Sequence, residues 1–343
     1  MDEKKVILVG FGNVARSLAI LLDSKQETLE AEYGFSTRVV GIATAHHGIA
    51  LNPAGVNIAE AIRLVTSGKS LEILSIKPVP KSVLELIQAG QADVLFENSP
   101  VNHLSGQPAI DHLRAGLEYG MHAITANKGP VVYAYRELTD LAKAKGRRFL
   151  FESAVMDGAP IFSLFRGPLP AIQVKGFFGI LNSTTNMILE MMEQGKTFDE
   201  AVKYAQVIGL AETDPSGDVD GWDAAIKVAA LATVIMRIPL TPGQVERTGI
   251  RDISVKMIND AAQAGERWKL VCMANWDGKT LTARVAPERV NPATPLYSIN
   301  GSSSYVQFET DCLPGLGIVE SNPGPETTAY GLLADLVNAV RND

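Results

Sequence analysis

The chain has 343 residues, 46% of them hydrophobic and 20% charged, and a formal net charge of -7. That length accommodates about two domains with a large core, and an acidic balance without a basic stripe argues against a nucleic-acid partner. With no apolar run long enough to cross a bilayer and no basic-then-apolar leader, a cytoplasmic protein with no membrane partner is expected.

Val6-Ile7-Leu8-Val9 reads as a buried strand, followed directly by Gly10-Phe11-Gly12-Asn13-Val14-Ala15 and then a helix over 16–22. Strand, glycine turn and helix in this order fit a dinucleotide fingerprint. Gly10 permits the tight turn, Gly12 lets the backbone approach a pyrophosphate, and Ala15 allows close helix packing. The helix N-terminus then faces the phosphates. A chance glycine turn is the alternative for the motif taken alone. Further strands are expected at 38–43, 93–97, 122–125 and 148–152, with helices between them that include 110–119 and 133–145. This alternation implies an α/β, Rossmann-type doubly wound parallel sheet with its ligand at the C-terminal strand ends.

Two segments lie just past those ends: Asn98-Ser99-Pro100 and Ala126-Asn127-Lys128-Gly129-Pro130. Ser99 and Lys128 are cofactor candidates there, although a cap would also explain the second segment. After the second strand, Ala43-Thr44-Ala45-His46-His47 contains no acid to hold the ribose hydroxyls of NAD or to repel a 2′-phosphate. NADP is therefore expected, with Thr44 and the two histidines as phosphate neighbours. No arginine follows, and NAD stays open.

Near residue 150 the pattern becomes α+β. Residues 174–181 read as a strand, and Asn182-Ser183-Thr184-Thr185-Asn186 as a polar turn capping a helix over 187–193. A helix over 198–208, stopped by Gly209, leads into Ala211-Glu212-Thr213-Asp214-Pro215-Ser216-Gly217-Asp218-Val219-Asp220-Gly221 and then a helix carrying Asp223 and Lys227. Asp218 or Asp220 would cap that helix, and Asp223 and Lys227 share one of its faces. Alone, this reads equally as a cap and a surface ion pair. Asp277-Gly278 marks a hairpin between 270–276 and 281–285, and an amphipathic helix spans 326–340. Cys272 and Cys312 are too few for a disulfide framework or zinc site, and Cys312 reads as a buried small residue.

The motifs at 10–15, 125–130, 179–186 and 205–227 together resemble homoserine dehydrogenase in order and spacing along nearly the whole chain. The resemblance implies a short, monofunctional form. It implies reversible hydride transfer between L-homoserine and L-aspartate 4-semialdehyde with NAD(P), in threonine, methionine and isoleucine biosynthesis. Residues 1–150, joined by the closing helix 326–343, would bind the dinucleotide, and 151–325 would form a substrate-binding and homodimerisation domain. Lys227 would be the proton donor, and Lys128 a second lysine near the reacting oxygen and cofactor. Asp223 would orient substrate or lysine, Glu212 would receive the substrate ammonium, and Asp218 would complete the pocket.

The same resemblance places a sodium ion on Glu152, Val155, Asp157 and Ala159. Met156-Asp157 replaces two small residues usual in relatives, and the extra carboxylate would either strengthen the ion's site or bond the loop itself. Ser183 replaces a glycine, and 322–327 replaces a glycine-alanine-glycine turn, which leaves open another small hydroxy or amino acid as substrate. A nonenzymatic dinucleotide sensor is the other alternative, although it would have no use for the lysines and acids. A thioester-forming aldehyde dehydrogenase is disfavoured, since neither cysteine sits in an activating motif.

Overall fold

A computed structural model describes residues 2–76 and 78–341; Asn342 and Asp343 of the expected closing helix lie outside the described residues. The chain divides into two compact units, Met1–Pro160 with Gly324–Asp343, and Ile161–Pro323. The first boundary thus falls ten residues later than residue 150. Residues 151–160 stay with the first unit because they bond to the C-terminal helix, Pro325–Val340: the Glu152 N–H donates to Asp335 Oδ2 (2.6 Å), and Ser153 Oγ to the Thr328 carbonyl (2.7 Å).

The first unit runs β1 (Asp2–Val9), α1 (Asn13–Ser24), α2 (Gln26–Tyr33), β2 (Phe35–Ala43), β3 (Ile49–Leu51), α3 (Ile58–Thr66), α4 (Val83–Gly90), β4 (Val94–Glu97), α5 (Ala109–Glu118), β5 (His122–Thr125), α6 (Lys128–Tyr133), α7 (Tyr135–Ala144) and β6 (Phe149–Leu150). Its sheet has the order β3-β2-β1-β4-β5-β6, parallel except for β3, which pairs antiparallel with β2. The short link between β2 and β3 cannot hold the crossover that a parallel neighbour requires. The helix expected over 133–145 is α7, which starts at Tyr135 because Ala134, with φ -134°, is not helical. Val6 and Leu8 pack under α1 and the C-terminal helix, while Ile7 and Val9 pack with Leu86, Ile87 and Leu95 on the opposite face. Coverage on both faces explains why this strand is apolar without alternation.

The second unit runs α8 (Ile161–Arg166), β7 (Val174–Ile180), α9 (Ser183–Glu193), α10 (Phe198–Val207), α11 (Ser216–Val219), α12 (Trp222–Val234), β8 (Glu246–Arg247), α13 (Val255–Gln263), β9 (Arg267–Trp276), β10 (Leu281–Val290), β11 (Ser304–Thr310) and β12 (Leu316–Glu320). Its sheet has the order β12-β11-β7-β9-β10-β8, antiparallel except where β8 joins β10. Helix α9 starts at Ser183 rather than 187, because Asn182 alone caps it by accepting the Thr185 N–H, and the rest of the polar turn forms the first helical turn. Among the described residues no helix is long and apolar enough to cross a membrane.

Candidate active site

In the first unit Gly10 adopts φ +84°, and a Cβ there would stand 2.4 Å from the Asn98 carbonyl oxygen. The approach is held by Gly10 N–H to Ala43 O (2.9 Å) and Asn98 N–H to Val9 O (2.7 Å). Gly12 faces open space and caps α1 with no side chain of its own, and the first turn of α1 carries no acid. The helix thus presents unpaired N–H groups and its positive end to any anion placed there. Of the other fingerprint residues, Phe11 and Ala15 are core side chains, Val14 packs against the same core, and Asn13 accepts a hydrogen bond from Arg16 (2.6 Å).

A cavity of about 710 Å³ opens at these strand ends, lined by Val9, Gly10, Thr44, Ser99, Pro100 and His112 among others. Among the described residues no lysine or arginine lines it. Thr44 borders it, but its hydroxyl closes its own loop, accepting from the His47 N–H (2.7 Å) and donating to the Gly48 carbonyl (3.1 Å). His46 is exposed.

The Ser99 hydroxyl is also committed inward. It donates to Glu97 Oε1, which takes the Ser99 N–H as well (3.2 Å), and Glu97 is wholly buried. Asn127 ties the two strand-end loops together: Nδ2 donates to the Ser99 carbonyl (3.1 Å), while Oδ1 accepts the Gly129 N–H (2.9 Å) at the start of α6. Lys128 is the first residue of that helix and is half-buried.

Asn98 differs from these neighbours. Both polar atoms of its side chain are buried with no hydrogen-bond partner among the described residues. Buried amides are almost always satisfied, so an orphaned one beside Gly10 marks a place for a ligand's polar group, and with the open helix end it fits a dinucleotide. Composition alone could not separate Asn98 from Ser99, since both are ordinary turn residues.

The 152–159 loop is bonded to its own unit. Glu152 is 3% exposed, Asp157 takes φ +35° and accepts from Thr328 Oγ1, and the Ala159 N–H donates to Met156 O (2.8 Å). Val155 is buried within the same loop. Among the described residues no group of three or more His, Cys, Asp or Glu is placed to hold a metal.

In the second unit α12 is apolar and buried at nearly every position beyond its first turn, so Asp223 and Lys227 stand out on one face. Their ion pair is 3.0 Å long, with side chains only 18% and 15% exposed, so it is not the solvated surface pair that the spacing alone allowed. Lys227 Nζ also donates to the Leu181 carbonyl (2.6 Å). Asn182 Nδ2 donates to Asp218 Oδ1 (2.7 Å) and Asp223 Oδ2 (3.0 Å), placing two carboxylates side by side. Burial first, and the Asp223 charge second, push the Asp218 carboxyl above its ordinary pKa.

Contrary to the expectation from sequence, neither Asp218 nor Asp220 caps α12; Gly221 holds that position at φ +78° without a side-chain bond. Asp220 instead binds Arg251, and its carbonyl accepts from Arg247, whose guanidinium lies 3.7 Å over the Trp222 ring. Glu212 stands apart on an exposed loop, its carbonyl held by Gln206 (3.2 Å). Ser183 Oγ meets Ser304 Oγ at 3.5 Å. Burial pushes the Cys272 thiol up to about 12, and Cys312, expected to be buried, is exposed with its thiol raised by Asp311. Neither is activated as a thiolate.

Comparison with known proteins agrees with this arrangement. A family described as "Homoserine dehydrogenase, NAD binding domain" matches residues 10–152, and "Homoserine dehydrogenase" matches 160–337. The chain is 35% identical over 340 residues to the NAD(+)-dependent homoserine dehydrogenase of Pseudomonas canavaninivorans, covering 98% of this chain and 96% of that one. It is 34% identical over 334 residues to the homoserine dehydrogenase of Methanocaldococcus jannaschii, covering 97% of each. A hyperthermophilic archaeal homoserine dehydrogenase solved in complex with NADPH superposes with a TM-score of 0.81 at 28% identity, covering 98% of this chain and 97% of that one. The chain belongs to the homoserine dehydrogenase family, oxidoreductases that act on a CH–OH group.

Proposed function

We propose that this dehydrogenase interconverts L-homoserine and L-aspartate 4-semialdehyde through the groups clustered on α12. The observation that carries this reading is the partly buried Lys227, held between the Asp223 carboxylate and the Leu181 carbonyl. A carbonyl oxygen gains negative charge as hydride arrives at its carbon, and an ammonium beside it stabilises that charge and gives up a proton. Asp223, 3.0 Å away, aims Lys227. Asp218 and the exposed Glu212 supply carboxylates for the substrate ammonium. Lys128, at the start of α6, is assigned as the second lysine near the reacting oxygen.

The first unit would hold a nicotinamide dinucleotide, with pyrophosphate on the open turn Gly10 to Ala15 and further contacts from the Thr44 loop, Asn98 and the Ser99 backbone. Bound there, the nicotinamide supplies the hydride acceptor. An acid-free loop after β2 favours NADP, but a 2′-phosphate needs charged partners, none of the cavity's described lining residues is lysine or arginine, and the Thr44 hydroxyl is spent. We therefore take NAD as the preferred cofactor. Sodium on Glu152, Val155, Asp157 and Ala159, and a cytoplasmic homodimer serving threonine, methionine and isoleucine synthesis, complete the reading.

The test is homoserine-dependent reduction of NAD and NADP in parallel, in sodium and in choline buffers, beside a panel of other small hydroxy acids, with sedimentation for the dimer. Expected is turnover specific to homoserine, faster in sodium, with a kcat/KM ratio of at least about tenfold for NAD, one unsatisfied charge being enough for that. Equal or better use of NADP removes the cofactor assignment. Turnover only with another hydroxy acid would reassign the substrate, an outcome that the Ser183 departure keeps in view, and none with any would favour a sensor.

A further inference from the structure

Asn182 makes contacts that no helix cap requires. As the N-cap of α9 its Oδ1 accepts the Thr185 N–H (2.8 Å) and the Thr185 hydroxyl (2.8 Å). The N–H is an unambiguous donor, so the amide can only be turned with Oδ1 toward the helix and Nδ2 toward Asp218 and Asp223. Both Nδ2 hydrogens are used, at 2.7 and 3.0 Å, and the second goes to the Asp223 oxygen that also pairs with Lys227 at 3.0 Å. The residue before it, Leu181, takes a Lys227 hydrogen on its carbonyl. Two consecutive residues therefore fasten both ends of the α12 ion pair.

The asparagine is itself immobile. It is 3% exposed, and α9 is tied down one turn later, where Asn186 donates to the carbonyls of Ile299 (3.2 Å) and Gly301 (2.9 Å) and accepts from the fully buried Lys269 (2.8 Å).

We propose that Asn182 is a positioning residue for the reaction: by donating to Asp218 and Asp223 together it holds two adjacent carboxylates charged and keeps Asp223 directed at Lys227. This rests on the reading of Lys227 and Asp223 as reaction groups. The physical need is plain, since two close carboxylates repel and one would otherwise take up a proton. A donor shared between them favours the charged form of each, and an amide does so without adding a charge that would compete for the substrate. An aspartate in its place would cap α9 equally well but add a third negative group.

Lys227 on α12 and Cys272 on β9 are the charged or titratable groups that act on the two carboxylates among the described residues, while Asp220 is taken up by Arg251 and its carbonyl by Arg247. The Thr184 hydroxyl, on α9, donates to the Leu210 carbonyl (3.2 Å). The burial that pushes Asp218 upward is the effect Asn182 opposes.

Asn182→Ser separates the two roles, because serine caps a helix as well as asparagine but has no second donor for the carboxylates. The expected result is a melting curve close to wild type, with kcat for homoserine oxidation about tenfold or more lower and the KM for NAD unchanged. The acid limb of the kcat/KM profile is expected to move up by about one pH unit, because loss of a donor to the charged form raises a carboxylate pKa. Adding Asp218→Asn removes the repulsion and is expected to bring that limb back toward wild type. Carbon-13 titration of the aspartate carboxyls in the resting protein is expected to show the same upward shift in Asn182→Ser, independent of turnover.

If the titrations and the acid limb of Asn182→Ser coincide with wild type, the proposal is overturned. If wild type does not oxidise homoserine while the titration still moves, the carboxylate bridge stands and the substrate assignment falls.

Discussion

Lys227→Ala is expected to lower kcat/KM for homoserine oxidation by about a thousandfold or more, with dinucleotide affinity unchanged. Two losses combine. The ammonium that would stabilise the developing oxyanion and exchange its proton is gone, and such a group contributes about 10²–10⁴ in rate. Asp223 also loses its 3.0 Å ion pair while it stays beside Asp218, which favours uptake of a proton there instead of holding substrate. Lys227→Arg is not expected to rescue, because a guanidinium keeps its proton and its planar fork does not fit the slot between Asp223 Oδ2 and the Leu181 carbonyl. Steady-state rates with homoserine, NAD titration by fluorescence and a melting curve on the same preparations make the check. Turnover within about threefold of wild type in a folded Lys227→Ala protein would remove Lys227 from the chemistry.

Gly10→Ala is expected to destabilise the first unit by about 2–4 kcal/mol and to abolish measurable dinucleotide binding. An alanine at φ +84° carries the left-handed penalty of about 1–2 kcal/mol, and its Cβ would also sit 2.4 Å from a backbone oxygen that cannot swing away. Either β1 or the Asn98 turn must shift, and those two walls frame the cavity at the strand ends. Gly12→Ala is the informative contrast. Its φ is -77° and nothing lies within 4 Å of the new methyl, so stability is expected to change by less than about 1 kcal/mol while affinity drops through closer contact with the pyrophosphate. Urea melts and binding titrations on the pair decide it. Equal stability in both variants would show that the Gly10 approach to Asn98 is not a constraint.

Much of this was legible in the chain because it is encoded locally. The run Val6 to Val9, the glycine turn and the helix behind it, and the two-face burial they imply, follow from period and turn chemistry within a few residues. The spacing of Asp223 and Lys227 placed them on one helical face for the same reason, and the order of the motifs identified the family. Less legible were features that depend on what stands opposite. Nothing in Ile49-Ala50-Leu51 says that it returns antiparallel to β2, and the caps expected from Asp218 and Asp220 gave way to contacts with Asn182 and Arg251, residues 36 and 31 positions away.

Sequence by itself determined many of the elements and the family, since hydrophobic period, glycine placement and motif order act over short stretches of chain. Only the tertiary structure decided which side chains remain available for chemistry. Thr44 and Ser99 spend their hydroxyls inward, Asn98 is left with a buried amide unsatisfied, and Asn182 turns from a cap into the bridge beneath Asp218 and Asp223. The physical reason is that a hydrogen bond or an ion pair belongs to two groups at once, and folding brings the second group from a part of the chain that the local pattern does not contain.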